Sequence, residues 1–150
     1  MSKHHIAQIN IARMIAPIDD PIMEAFVAQL PSINALADES PGFVWRLQTE
    51  EGDATGLKVY DDEMVIVNMS VWENVETLRE YAYRSSHTGV MKYRTKWFKK
   101  FDGPYMALWW IPAGHLPSPQ EGMERLEYLR TNGNSPYAFS FKNVFPEPEE

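Results

Sequence analysis

Residues 64–72 constrain this chain more than any other stretch. Val65, Val67, Met69 and Val71 alternate with Ile66, Asn68, Ser70 and Trp72. A period of two is the signature of a β-strand, whose successive side chains point to opposite faces of its sheet. Residues 5–14 alternate in the same way, with Ala7, Ile9 and Ile11 set against Ile6, Gln8, Asn10 and Ala12. In both strands one face is purely apolar, and the other mixes large apolar groups with amides and a hydroxyl. A solvated face would not carry both Trp72 and Ile66, because each costs about 1.5–3 kcal/mol if left unburied. The sheet therefore has two faces to cover.

The segments between the strands supply helices. Met23, Phe26, Leu30, Ile33 and Ala37 recur at helical spacing, with Pro31 inside the pattern as an expected kink or split. Ser40-Pro41-Gly42 is a turn signal, residues 43–49 read as a second strand, and residues 50–62 read as a polar loop. Asn74 can cap a helix that buries Val75, Leu78 and Ala82. After a break at His87-Thr88-Gly89, Val90, Arg94, Trp97, Phe98 and Phe101 continue at helical spacing. Residues 105–111 form a strand, Ser118-Pro119-Gln120-Glu121 is a capping box for a late helix, and residues 137–141 read as a last short strand. Strand, helix, two strands, helix, strand is the split βαβ order of an α+β, ferredoxin-like domain with an antiparallel sheet. With Ala7, Ile9, Ile11, Val65, Val67, Met69 and Val71 packed on the helices, the mixed face is expected to lie open and to be covered by a second copy of the chain. Residues 1–150 read as one domain ending in a frayed acidic tail, Pro-Glu-Pro-Glu-Glu.

Composition removes several function classes. The net charge is −7, and the cluster Lys92, Arg94, Lys96, Lys99 and Lys100 reads as the solvated face of a helix, so no nucleic-acid partner is expected. There is no cysteine, which excludes thiol chemistry and suits a cytoplasmic protein. The longest apolar run, residues 105–111, is too short to cross a bilayer, so no membrane partner is expected. His4, His5, His87 and His115 show no metal-ligand spacing, and no metal is expected. Aromatic residues make up 13% of the chain, with five Trp, which favours a cavity or a partner surface for a small apolar or aromatic ligand.

The segments Val71-Trp72-Glu73, Ser86-His87, Lys96-Trp97-Phe98, Leu108-Trp109-Trp110-Ile111-Pro112-Ala113-Gly114-His115 and Ala138-Phe139-Ser140-Phe141 resemble an uncharacterised bacterial family. That family belongs to the dimeric α+β barrel superfamily, which includes the antibiotic-biosynthesis monooxygenases. The resemblance implies a homodimer in which two ferredoxin-like subunits pair sheet against sheet. Haem-degrading members of the superfamily use an Asn on the first strand, a Trp on the second main helix and a His beyond it. Asn10 matches the first, Tyr81 stands where the Trp would be, and His87 comes sooner than that pattern has it.

The candidate site follows from both lines. Asn10 and His87 are the candidate catalytic pair, Asn10 to orient oxygen or an oxyanion and His87 to move a proton or to ligate haem. The alternative reading of His87 is a cap on the helix before it. Trp72, Asn68, Arg46, Tyr81, Trp97, Trp110 and His115 are candidate ligand contacts. Arg46 could clamp a carboxylate, and of the neighbours Trp109 and Trp110 only one can face a cavity. Three readings stay open: a cofactor-independent monooxygenase-like enzyme acting on an apolar carbonyl compound, a non-enzymatic ligand-binding or stress-related dimer, and a haem-binding protein.

Overall fold

The computed structural model describes residues 4–47, 64–85, 96–99 and 103–148. Its centre is strand β1 (His4–Met14), flanked on one side by β3 (Val65–Trp72) and on the other by β5 (Met106–Pro112) and the two-residue β4 (Phe98–Lys99). The edge strand β2 (Phe43–Arg46) pairs with β3, and every pairing is antiparallel. The order β2-β3-β1-β5 is that of a ferredoxin-like α+β domain. Helix α1 (Glu24–Glu39) joins β1 to β2, α2 (Val75–Ser85) follows β3, and α3 (Pro119–Asn132) follows β5.

Register fixes which side chains share a face. Ile6, Gln8, Asn10 and Ala12 stand opposite Trp72, Ser70, Asn68 and Ile66 on β3. The same β1 residues stand opposite Trp110, Leu108 and Met106 on β5, in that order from Ile6 to Asn10. Alternation separates the two sets correctly, but the covering of the mixed face differs from expectation. Ile6, Trp72 and Leu108 pack with Ala37 of α1 and Val75 and Leu78 of α2, so the mixed face is the one beneath α1 and α2. The purely apolar set, Ala7, Ile9, Ile11, Val67, Met69 and Val71, packs with Leu126 and Leu129 of α3. Parity sorts residues into two groups and carries no information on which group a crossover helix will cover. Three large rings of the mixed face, Phe43, Trp72 and Trp110, lie in the same cluster as Ala37, Val75 and Leu78 of the two helices.

Gly122 explains how closely α3 sits. A Cβ there would fall 2.9 Å from the end of Met69 and 3.0 Å from Ile9 Cδ1, so the helix backbone rests directly on the sheet.

Several local expectations are corrected. Helix α1 runs through Pro31 as one element, with Pro31 on its exposed side and Phe26 and Ala37 buried. Phe98 and Lys99 are extended, not helical, because their backbone pairs with Met14 and Arg13 at the end of β1. Residues 137–141 do not form a strand. Phe139 alone bridges Leu108, with paired bonds of 2.8 and 2.9 Å, and Phe141 opens a 3-10 turn. The tail is tied down rather than frayed as far as Glu147, whose carboxylate accepts from the His4 backbone N–H at 3.1 Å. The expected loop at residues 50–62 and the helical stretch from Val90 to Arg94 lie outside the described residues. No helix among the described residues is long and apolar enough to cross a membrane.

Candidate functional site

Strand alternation places four rows of side chains across the face beneath α1 and α2. The first row, Phe43–Trp72–Ile6–Trp110, is apolar. It packs under Val75, Leu78 and Tyr81 of α2 and against Phe139 and Phe145 from the end of the chain. The second row is Arg46–Ser70–Gln8–Leu108, and the third is Asn68–Asn10–Met106. The fourth begins at Ile66, which packs with Met14, Met23, Phe26 and Trp97. A band of amides and a hydroxyl therefore lies between two apolar clusters.

The band is one hydrogen-bonded unit. Trp72 Nε1 donates to Ser70 Oγ at 2.8 Å, and Gln8 Nε2 donates to the same oxygen at 2.8 Å. Gln8 Nε2 also donates to Asn68 Oδ1 at 2.8 Å. Asn10 Nδ2 donates to Gln8 Oε1 at 2.9 Å and to Asn68 Oδ1 at 3.2 Å. Gln8 and Ser70 are only 3% and 4% exposed, and the band opens toward solvent through half-buried Asn10 and exposed Asn68. Burying polar groups is tolerable only with their partners in place, which this chain of bonds supplies.

Aromatic and charged groups border the band. Tyr81 stacks on Trp72 with ring centroids 4.8 Å apart and planes 25° from parallel. Phe43 meets Trp72 edge-on at 5.5 Å. Burial raises the Tyr81 phenol above the ordinary tyrosine value of 10.0, with Arg46 opposing and Asp38 adding to the rise. The phenol thus stays a neutral donor at any physiological pH. Arg46, on the same face as Ser70, donates through Nε to Asp38 Oδ1 at 2.8 Å, a carboxylate that α1 provides.

Asn10, Trp72, Asn68, Arg46, Tyr81 and Trp110 are therefore gathered on one face, as register and packing place them. Trp110, not Trp109, belongs to it, and its indole donates to the Phe145 carbonyl at 2.9 Å. Trp97 is a core ring in the cluster beyond Ile66, 5.9 Å from Phe26. His87 lies outside the described residues. Gln8 and Ser70, the buried centre of the band, were on the mixed face but not among the named candidates. An amide facing a hydroxyl across two alternating strands is the sequence signal for them.

His115 stands apart, on the α3 side of the sheet. Its Nε2 lies 2.8 Å from Glu121 Oε1, while Glu121 Oε2 accepts from Trp109 Nε1 at 3.0 Å. Trp109 pairs with Ala7, which puts it on the face opposite Asn10. The capping box is consequently half formed. Ser118 Oγ accepts from the Glu121 N–H at 3.1 Å, but the Glu121 carboxylate goes to Trp109 and His115.

A haem at the band would need an axial donor there, and the described imidazoles are elsewhere. His5 and His115 belong to the α3 side, and His4 sits beyond Trp110 with its Nδ1 3.3 Å from Glu147. Among the described residues no imidazole lies at the band. Among them no three His, Asp or Glu side chains group as metal ligands.

The chain belongs to the family described as a domain of unknown function, DUF3291, whose model matches residues 5–150. No curated protein matches it. One similar solved structure is titled "Putative antibiotic biosynthesis monooxygenase from Nitrosomonas europaea". It is 13% identical, has a TM-score of 0.42, and the match covers 77% of this chain and 94% of that one.

Proposed function

We propose that this protein binds a small apolar compound bearing a carbonyl group, in the space between the sheet and helices α1 and α2. The observation that carries this reading is the band of Gln8, Asn10, Asn68 and Ser70, set between two apolar clusters and open at Asn68. Ligand sites combine apolar walls with a few convergent polar groups, and this arrangement has both. Both Asn10 N–H groups are engaged within the band, so the donor that the band itself leaves for a carbonyl is the Asn68 amide. Asn10 then acts by holding Asn68 in place, and its own carbonyl oxygen faces the ligand.

Binding can be read by thermal unfolding and calorimetry with 2-acetylnaphthalene as probe. At about 100 times its dissociation constant a ligand stabilises by about 2.7 kcal/mol, which raises the midpoint of a domain this size by about 5–10 °C. An unchanged midpoint and no heat at solubility-limited concentration would remove the reading.

The binding protein is proposed to act as a homodimer. Helix α3 packs on β5 and β1, while Val44, Trp45, Leu47 and Val65 stay half-buried at the β2 side of the same face. A second copy laid there would complete the burial of these four side chains. Light scattering at micromolar concentration should give a mass twice that of the chain, and the monomer mass would rule the pairing out.

A further inference from the structure

The polar band has spare hydrogen-bonding capacity of a particular shape. Asn10 spends both of its N–H groups, one on Gln8 Oε1 at 2.9 Å and one on Asn68 Oδ1 at 3.2 Å. Asn68 Oδ1 receives that bond and a second from Gln8 Nε2 at 2.8 Å, which uses both of its lone pairs. Among the described residues nothing is bonded to the Asn68 N–H groups or to Asn10 Oδ1. Asn10 and Asn68 are direct partners across β1 and β3, so the spare donor and the spare acceptor lie side by side at the open row.

We infer that the ligand presents a neutral cyclic amide to this pair, its C=O accepting from Asn68 and its adjacent N–H donating to Asn10 Oδ1. The inference rests on the reading of the band as a binding site and names the chemical class that fills it. A carboxylate or a quinone offers acceptors alone and would set an oxygen against Asn10 Oδ1. An anion also finds no uncommitted cation in these rows, because Arg46 is held by Asp38. A planar lactam satisfies both spare groups at once, and its ring edges meet Met106 beside Asn10 and Ile66 beyond Asn68. Leaving one buried polar partner unmatched typically costs about tenfold in affinity.

Calorimetric titration with 2-quinolone, 1-methyl-2-quinolone and 2-acetylnaphthalene tests the inference on the unaltered protein. The methylated quinolone keeps the ring and carbonyl but has lost the N–H. The expected result is that 2-quinolone binds about tenfold or more tighter than either of the others. Equal affinities for the two quinolones overturn the lactam and leave the carbonyl site standing. Binding by none of the three overturns the lactam and the site together. Asn68→Asp provides a second arm, because it keeps the oxygen that Gln8 and Asn10 need while replacing the spare donor by an acceptor. That variant should fold as before and bind 2-quinolone about tenfold more weakly; undiminished binding would place the lactam elsewhere.

Discussion

Ser70→Ala is expected to destabilise the protein by about 2–5 kcal/mol, a large effect for the loss of one oxygen. Ser70 Oγ is the acceptor for the Trp72 indole and for one Gln8 N–H, both at 2.8 Å. Trp72 is fully buried and Gln8 nearly so, which leaves neither donor a route to water. Each buried donor stranded in this way costs about 1–3 kcal/mol, far more than the net gain from a satisfied bond. Urea unfolding would read the loss as a lower midpoint with an unchanged slope. The cycle with Trp72→Phe tests the cause. Without the indole N–H one of the two stranded donors is absent, so the double variant should be more stable than the sum of the singles predicts. Strict additivity would mean that the hydroxyl matters for packing alone. Ligand affinity should fall with Ser70→Ala as well, since Gln8 would no longer be fixed where it positions Asn68 and Asn10.

Gly42→Ala is expected to cost a comparable 2–5 kcal/mol for an unrelated reason. Gly42 turns the chain from α1 into β2 with φ +81°, where a side chain costs about 1–2 kcal/mol. A Cβ would also fall 2.4–2.6 Å from Oγ1, Cβ and Cγ2 of Thr77, an overlap worth about 1–3 kcal/mol more. Thr77 cannot turn aside, because its own Cβ is among the atoms met. Its backbone N–H is also bonded to the Asn74 cap at 2.8 Å. The start of α2 would have to lift from the β2 turn, which in turn loosens the stack of Tyr81 on Trp72. Adding Thr77→Gly should recover the overlap and leave the cost of the backbone conformation. Full recovery in the double variant, or none, would show that only one of the two causes operates.

The strands and two principal helices were legible because their hydrophobic periods are long and clean. Residues 64–72 and the stripe Met23–Phe26–Leu30–Ile33–Ala37 are cases where local pattern and final burial agree. What failed had a non-local cause. Trp97 and Phe98 sit at helical spacing in the sequence, yet backbone bonds to the far end of β1 draw residues 98–99 into the sheet. A bulge between Phe43 and Trp45 likewise shifts the register of β2, and strict alternation carries no sign of it. Pro31 interrupts the helical pattern but falls on the exposed side of α1, where burial of Phe26 and Ala37 on the other side outweighs one missing bond.

The site was legible as a set of residues but not as a place. Alternation alone joins Gln8, Asn10, Asn68, Ser70 and Trp72 on one face, and paired strands keep such sets together. Whether that face would meet a partner subunit or the chain's own helices depends on contacts between distant segments, which no local period encodes. His115 shows the same limit. Its partner Glu121 reads as a helix cap in the sequence, and only the fold brings the Trp109 indole to that carboxylate.

The ligand is proposed to lie on the Asn10–Asn68 face and not on the α3 side beside His115 and Glu121. Isotope-filtered nuclear Overhauser spectra of the labelled protein with bound 2-acetylnaphthalene separate the two directly. Cross-peaks from the probe to the side-chain amide protons of Asn68 and the methyl groups of Met106 and Ile66 are predicted. Cross-peaks to the Trp109 indole N–H and the His115 ring, with none to Asn68, would contradict the account.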